Sequence, residues 1–273
     1  MAARVLAISS QVVRGHVGLS AIVPALQGLG HEVWPLPTVI LSNHPGHART
    51  AGTRIDPAVL ARMLDTLDQN GWLPEIDAII TGYLPSAEHV RVAADLVKRL
   101  RAKRNIFYLC DPVLGDEPKG LYIDAMAAAA IRDDLIPLAD FATPNVFELG
   151  WLTGSAATTL PEIEGAARRL SCPGRLVTSV KESAGKIGNL LLGPGRWLCE
   201  VTQRPSVPHG TGDFVGALFL GHLLNGVGER EALGRTTAGV EVAIRASGSH
   251  DELQLAASAA DWIGAAALPS RDW

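Results

Sequence analysis

The sequence predicts an α/β protein with a central, mostly parallel β-sheet flanked by helices on both faces. Three observations carry that prediction. Short apolar runs alternate with longer stretches of helical periodicity through most of the chain, and a helix between two strands forces a crossover that leaves them parallel. Polar residues cluster where apolar runs end: Ser9 and Ser10, Asp111, Thr143 with Asn145, and Thr178 with Ser179. In open α/β sheets, ligands sit beyond the carboxyl ends of the strands. Finally, 273 residues that are 47% hydrophobic and 19% charged can fill one large core. No internal repeat, low-complexity segment or linker interrupts the chain, so residues 1–273 are expected to form a single domain.

The elements follow in order. "RVLAIS" (4–9) reads as a strand and "GLSAIVPALQGLG" (18–30) as a helix closed by glycine. "EVWPLPTV" (32–39) is a strand whose two prolines place it at an edge, because proline donates no ladder hydrogen bond. The next helix has Asp56 as N-cap, Pro57 at its first position and Gly71 as a stop, with Leu60, Met63, Leu64 and Leu67 at helical spacing. Residues 32–54 are expected to be the most irregular region. "DAIITG" (77–82) is a buried strand, 86–103 a helix with Val90, Ala94 and Val97 on its apolar stripe, and "NIFYLCD" (105–111) another buried strand. A helix over 123–136 leads to the short strand of "DFATPN", and "RLVTSV" (175–180) adds one more. "KIGNLLLG" and "RWLCEVTQ" form a hairpin across "PG", and helices at 212–226, 230–247 and about 252–265 close the chain. This last third predicts a mixed edge.

A net charge of −4 gives no electrostatic case for nucleic acid or an anionic membrane. Cys110, Cys172 and Cys199 form no CxxC pair, which points to buried thiols in a reducing compartment. The apolar core of "MAARVLAISSQ" is too short for a signal peptide and no run is long enough to span a bilayer. A soluble, cytoplasmic protein is expected.

Four stretches can carry chemistry. In "PHGTGDFVG", Gly210, Thr211 and Gly212 precede Asp213 at the start of an apolar helix. Unpaired N–H groups gather there and cradle an anion, beside which a carboxylate can act as base; an N-cap with glycines for close packing is the plainer reading. In "CDPVLGD", Asp111 and Asp116 flank a glycine near a strand end, either as turn formers or as acids for a magnesium–phosphate site. In "TPNVFEL", Asn145 and Glu148 have capping-box spacing, or place Glu148 near Mg²⁺ and Asn145 near phosphate. In "SSQVVRGHVG", Ser10 ends a strand before two glycines. Neither this stretch nor "GTGDFVG" has dinucleotide-fingerprint spacing, and no P-loop or GxSxG elbow occurs. His44 and His47 are spaced like metal ligands, but without further Cys or His in register they read as surface or substrate-loop residues.

Taken together, "SSQVVRGHVG", "LPTVILSNHPGH", "ITGYLPSAE", "CDPVLGDEPKGLY", "LADFATPNVFELGWLTG", "LVTSV" and "GTGDFVGALFL" resemble the pyridoxal kinases of the ribokinase superfamily, in the same order over nearly the whole chain. The resemblance implies a ribokinase-like fold and transfer of the γ-phosphoryl of ATP to the 5′-hydroxyl of pyridoxal, pyridoxine or pyridoxamine. It implies Asp213 as the base, with the Gly210–Gly212 backbone holding the transferring group. Asp111, Asp116, Asn145 and Glu148 match positions around the ATP phosphates and Mg²⁺. Thr143, Thr178 and Ser179 match positions near the nucleotide and a monovalent cation, usually K⁺, and Tyr122 a segment over ATP. Ser10 matches a polar contact to the pyridine ring, Val17, Val39 and Tyr83 its apolar walls, and Pro45 the loop against the substrate. A homodimer is implied as well.

The chain departs from the family pattern at four places. Leu19 stands where an Asn is usual, Leu41 for an aromatic residue, Pro45 for a Thr, and His209 for a small or aliphatic residue. Leu19, Leu41 and Pro45 bear on the vitamin side. The rival readings are a hydroxymethylpyrimidine kinase of the same fold, which typically has Cys at the Asp213 position, and a catalytically weak vitamin B6-binding protein. A sugar kinase and a nicotinamide oxidoreductase fit less well, the first for its apolar walls and the second for the missing fingerprint.

Overall fold

A computed structural model describes residues 2–182 and 184–273. In chain order the elements are β1 (Arg4–Val12), α1 (Leu19–Gly28), β2 (Glu32–Leu41), β3 (Gly52–Arg54), α2 (Pro57–Gln69), β4 (Ala78–Thr81), α3 (Ala87–Arg101), β5 (Phe107–Cys110), β6 (Gly115–Asp116) and β7 (Gly120–Leu121). They continue with α4 (Ala125–Ala130), β8 (Phe141–Ala142), α5 (Val146–Thr153), α6 (Leu160–Ala167), β9 (Gly174–Val180), β10 (Lys186–Leu192), β11 (Arg196–Thr202), α7 (Thr211–Leu224), α8 (Glu229–Ser247), α9 (Ala259–Ile263) and β12 (Arg271–Asp272).

Ten strands form one sheet in the order β12-β11-β10-β9-β8-β5-β4-β1-β2-β3. The six from β9 to β2 are mutually parallel. Antiparallel β3 covers one edge, and β10, β11 and β12 extend the other. β6 and β7 pair as a separate small hairpin.

Strand alternation divides the core into two layers. Leu6 and Ile8 of β1, Ile79 of β4, and Tyr108 and Cys110 of β5 pack with Leu60, Leu64, Val90 and Val97 of α2 and α3 on one face. Val5, Ala7, Ile80 and Leu109 point the other way, onto Leu19 and Ile22 of α1 and Phe214–Leu220 of α7. A period of two in the strands thus builds both faces at once. α7 lies between the sheet and other helices, which is why its sequence is apolar all round: every residue from Phe214 to His222 is buried.

Local signals explain the helix ends. Asp56 accepts the Ala58 N–H at 2.7 Å, with Pro57 at the first position of α2. Asn145 and Glu148 form the capping box of α5. All three cysteines are unpaired and buried, and no helix among the described residues is long and apolar enough to cross a membrane.

Several expectations are corrected. β1 runs on to Val12, so Ser9 and Ser10 lie inside it. Ser9 is fully buried because its Oγ takes the Tyr83 N–H at 3.0 Å, which removes the cost of its hydroxyl. β2 is an edge strand only in part: the three-residue β3 pairs with Val39–Leu41, whereas the stretch with Pro35 and Pro37 pairs with β1 alone. Irregular backbone therefore narrows to 42–51. Met63 is 44% exposed although it shares the spacing of buried Leu60 and Leu64. The helix at 123–136 is α4 followed by wider and then tighter turns, and that at 252–265 shrinks to α9.

Candidate active site

The N-terminus of α7 meets the carboxyl ends of the parallel strands. Gly210 caps it with φ 94°, and a methyl there would lie 1.8 Å from the His16 carbonyl oxygen. Only glycine fits both conditions. A methyl on Gly212, by contrast, would meet nothing within 4 Å. The first intrahelical bond runs from Phe214 N–H to Gly210 C=O at 3.0 Å, which leaves the N–H groups of Thr211, Gly212 and Asp213 without an intrahelical partner. The helix mouth is thus an open cradle with an aspartate in it.

Burial pushes the Asp213 carboxyl up to about 6, against the pull of the Gly18 N–H. A group at that value is ionised at neutral pH yet still basic enough to take a proton.

On one side of Asp213 lies an acidic cluster. A methyl on Gly216 would stand 3.6 Å from Thr143 Oγ1 and 3.7 Å from Asp111 Oδ2, which puts both next to the first turns of α7. Burial raises the Asp111 carboxyl well above its ordinary value, and the Glu148 and Asp213 carboxylates add to the effect. Glu148 is pushed up to about 7, chiefly by burial, against hydrogen bonds from the Asn145, Leu114 and Gly115 amides. Its Oε2 accepts the Asn145 N–H at 2.9 Å and its Oε1 the Leu114 N–H at 2.7 Å. Asn145 Nδ2 donates to Gly115 C=O at 2.9 Å, tying this turn to the β6–β7 hairpin. Thr178 N–H donates to Pro144 C=O at 2.9 Å, which brings the end of β9 alongside. Asp116 is exposed nearby and raises Glu148, while Tyr122 is pushed up to about 12 by burial and by Asp116 and Glu148. Val113 and Ser179 both adopt positive φ, 44° and 62°. Such strain persists where surroundings over-determine it, often at functional sites.

The chemistry of these donors fits a hard cation. Among the described residues, Thr143 Oγ1 is buried with no hydrogen-bond partner, and Asp111 offers a buried carboxylate beside it. Oxygen donors in small number suit Mg²⁺, which keeps several waters. Glu148 is less free than its sequence position implied, because each of its oxygens already holds a backbone N–H.

On the other side lies an apolar corner at the ends of β1, β2 and β4. A methyl on Gly82 would sit 2.5 Å from Ser9 Oγ and 3.6 Å from Asp213 Oδ1. A methyl on Gly18 would sit 2.3 Å from Ser10 Oγ, and one on Gly210 3.2 Å from Val17 Cγ1. Tyr83 C=O accepts Thr38 Oγ1–H at 2.8 Å, which places Tyr83 beside Val39. Val17 and Val39 are buried, whereas Pro45 is exposed in the loop that follows β2.

That loop reaches the α7 cradle through residues the sequence did not single out for it. His44 stacks on His209 with ring centroids 3.8 Å apart. His44 Nδ1 accepts the Gly46 N–H at 3.0 Å. Burial, with His209, Lys119 and His47 nearby, holds His44 down at about 4, so its ring is neutral and carries its proton on Nε2. His209 is lowered too, first by burial and then by Lys119. Lys119 sits at the turn of the β6–β7 hairpin, near enough for its charge to act on both rings. Nothing in local spacing links 44, 119 and 209; only the fold does.

Comparisons with known proteins identify the family. Residues 25–257 match the family model described as phosphomethylpyrimidine kinase. The chain is 36% identical over 259 residues to pyridoxal kinase PdxY of Corynebacterium diphtheriae, covering 92% of each. Among solved structures, pyridoxal kinase from Entamoeba histolytica superposes with a TM-score of 0.94 at 25% identity over all of both chains. Pyridoxal kinase from Leishmania donovani in complex with ADP and pyridoxamine gives 0.90 at 26% identity over 97% of each. The fold is therefore ribokinase-like, and the chain belongs to the pyridoxal kinase family.

Proposed function

We propose that the protein transfers the γ-phosphoryl of ATP to the 5′-hydroxyl of pyridoxal, with pyridoxine and pyridoxamine as further substrates. One observation carries this reading: a carboxyl raised to about 6 stands in the open N-terminal cradle of α7, between an acidic oxygen-donor cluster and an apolar corner. Asp213 accepts the hydroxyl proton as the oxygen–phosphorus bond forms and the bond to the β-phosphate oxygen breaks, releasing ADP. The N–H groups of Gly210–Gly212 face the charge on the transferring group, where fixed dipoles cost no reorganisation. Asp111 and Thr143 would hold Mg²⁺, with Glu148 and Asp116 as the further acids beside it. Bound there, the ion neutralises charge on the phosphate oxygens. Asn145, Thr178, Ser179 and Tyr122 surround the nucleotide, and a monovalent cation such as K⁺ binds on that side.

Ser10 meets the pyridine ring between Val17, Val39 and Tyr83, with Pro45 closing over it. Stacking on Tyr83 would add about 0.5–1.5 kcal/mol beyond area burial. A cytoplasmic homodimer built from one kinase domain per chain completes the reading. A hydroxymethylpyrimidine kinase of the same fold is the second reading, and the family model is described as phosphomethylpyrimidine kinase; Asp213, where hydroxymethylpyrimidine kinases typically carry Cys, favours pyridoxal. ADP release with each vitamer and with hydroxymethylpyrimidine decides between them. Turnover on hydroxymethylpyrimidine alone would reverse the assignment.

A further inference from the structure

Glu252 lies far in sequence from every residue assigned above, yet it joins the segments that frame the vitamin side. It is only 6% exposed. Its Oε1 accepts a hydrogen bond from Arg14 NH1 at 3.0 Å and lies 2.9 Å from His47 Nε2, which must donate because an ionised carboxylate only accepts. Its backbone pairs with His209 in an isolated parallel bridge. A methyl on Gly15 would lie 2.3 Å from its Oε2, so the 14–18 turn is packed directly on the carboxylate. One residue thus touches the turn that leads to Val17 and Gly18 and the loop that carries Pro45 through its side chain, and the residue before the GTGD cradle through its backbone.

His47, Asp251 and Glu252 have ligand atoms close enough to share a metal ion. Arg14 NH2, however, already bonds both Asp251 oxygens at 2.9 and 3.1 Å, and its NH1 holds Glu252. The cation of this cluster is the guanidinium. Two charge-assisted bonds converging on a buried carboxylate make a strong tie.

We propose that Glu252 is a positioning residue that latches the 42–51 loop and the 14–18 turn onto the N-terminus of α7, and so sets affinity for the heteroaromatic alcohol without touching the nucleotide. The kinetic part rests on the loop being a wall of the vitamin site. In the full-length protein, Glu252→Ala should raise the KM for pyridoxal about tenfold while the KM for ATP stays within about twofold. Glu252→Gln keeps an acceptor for Arg14 and should fall between it and wild type. Amide hydrogen exchange, read without turnover, should quicken at least about fivefold across 42–51 in Glu252→Ala and stay unchanged in β6 and β7. If Glu252→Ala does not fold, His47→Ala, which leaves the Arg14 pair intact, should still speed exchange in the loop and raise the pyridoxal KM about threefold. Unchanged loop exchange, or both KM values rising together, overturns the latch. Should wild type fail to turn over pyridoxal, the function is wrong while the exchange result still judges the latch.

Discussion

Asp213→Asn should make the protein more stable while making it inactive. A carboxyl raised from 3.8 to about 6 is one whose ionised form the folded state disfavours. A displacement of that size corresponds to about 3 kcal/mol. The sign follows from linkage: below pH 3.8 both states are protonated and nothing is lost, the cost grows as pH rises, and above pH 6 it is complete. Asparagine carries no charge and its Oδ1 can still accept the Gly18 N–H. The variant should therefore be about 3 kcal/mol more stable at pH 8 and about half of that at pH 5. For a chain of this size that is a Tm gain of roughly 6–10 °C at pH 8 and about half as much at pH 5. Thermal unfolding at both pH values, beside ADP release, reads both effects. An unchanged Tm at pH 8 would mean Asp213 carries no such cost, and near-normal turnover would remove its role as base.

Three further outcomes are expected. Turnover should decline as pH falls through about 6, where Asp213 takes up a proton; a kcat/KM profile flat from pH 8 to 5 would contradict this. Gly212→Ala, whose methyl meets nothing within 4 Å, should fold normally and lose at least about tenfold in kcat because the methyl crowds the phosphoryl cradle, whereas Gly210→Ala, at φ 94° and 1.8 Å from a carbonyl oxygen, should lose more than about 2 kcal/mol of stability. Urea unfolding of both variants separates the two effects, and equal stability losses would show that the glycines are not distinct. Pro45→Thr should tighten pyridoxal binding by restoring a hydroxyl and an N–H, as read by titration; weaker or unchanged binding would mean the loop uses another contact.

The parallel sheet was legible because alternating apolar strands and amphipathic crossovers leave little other choice of topology. Asp56, Pro57 and the Asn145–Glu148 box were legible because caps act within one turn. What escaped was set by contacts across the chain. β1 continues past Ser9 by pairing Gln11 and Val12 with Ile40 and Leu41 of β2, and the buried Ser9 hydroxyl takes the Tyr83 N–H. The edge reading of β2 holds for the stretch with Pro35 and Pro37, but β3, three residues with no apolar pattern, covers Val39–Leu41. Positive φ at Val113 and Ser179 leaves no trace in composition, since neither is glycine. Asp111 was found as a strand-end polar group and Glu148 by its capping-box spacing, but their raised pKa values depend on burial and on neighbouring acids. Glu252 sat in a stretch expected to be helical, and nothing local joins it to His47 or Arg14.

The most direct measurement is coupled ADP release with Mg-ATP and K⁺ on pyridoxal, pyridoxine, pyridoxamine and hydroxymethylpyrimidine, wild type beside Asp213→Asn. Turnover on pyridoxal that vanishes in the variant, with pyridoxal affinity within a few-fold of wild type, is the predicted result. Silence on every vitamer while pyridoxal still binds would contradict it and mark a protein that binds vitamin B6 without phosphorylating it.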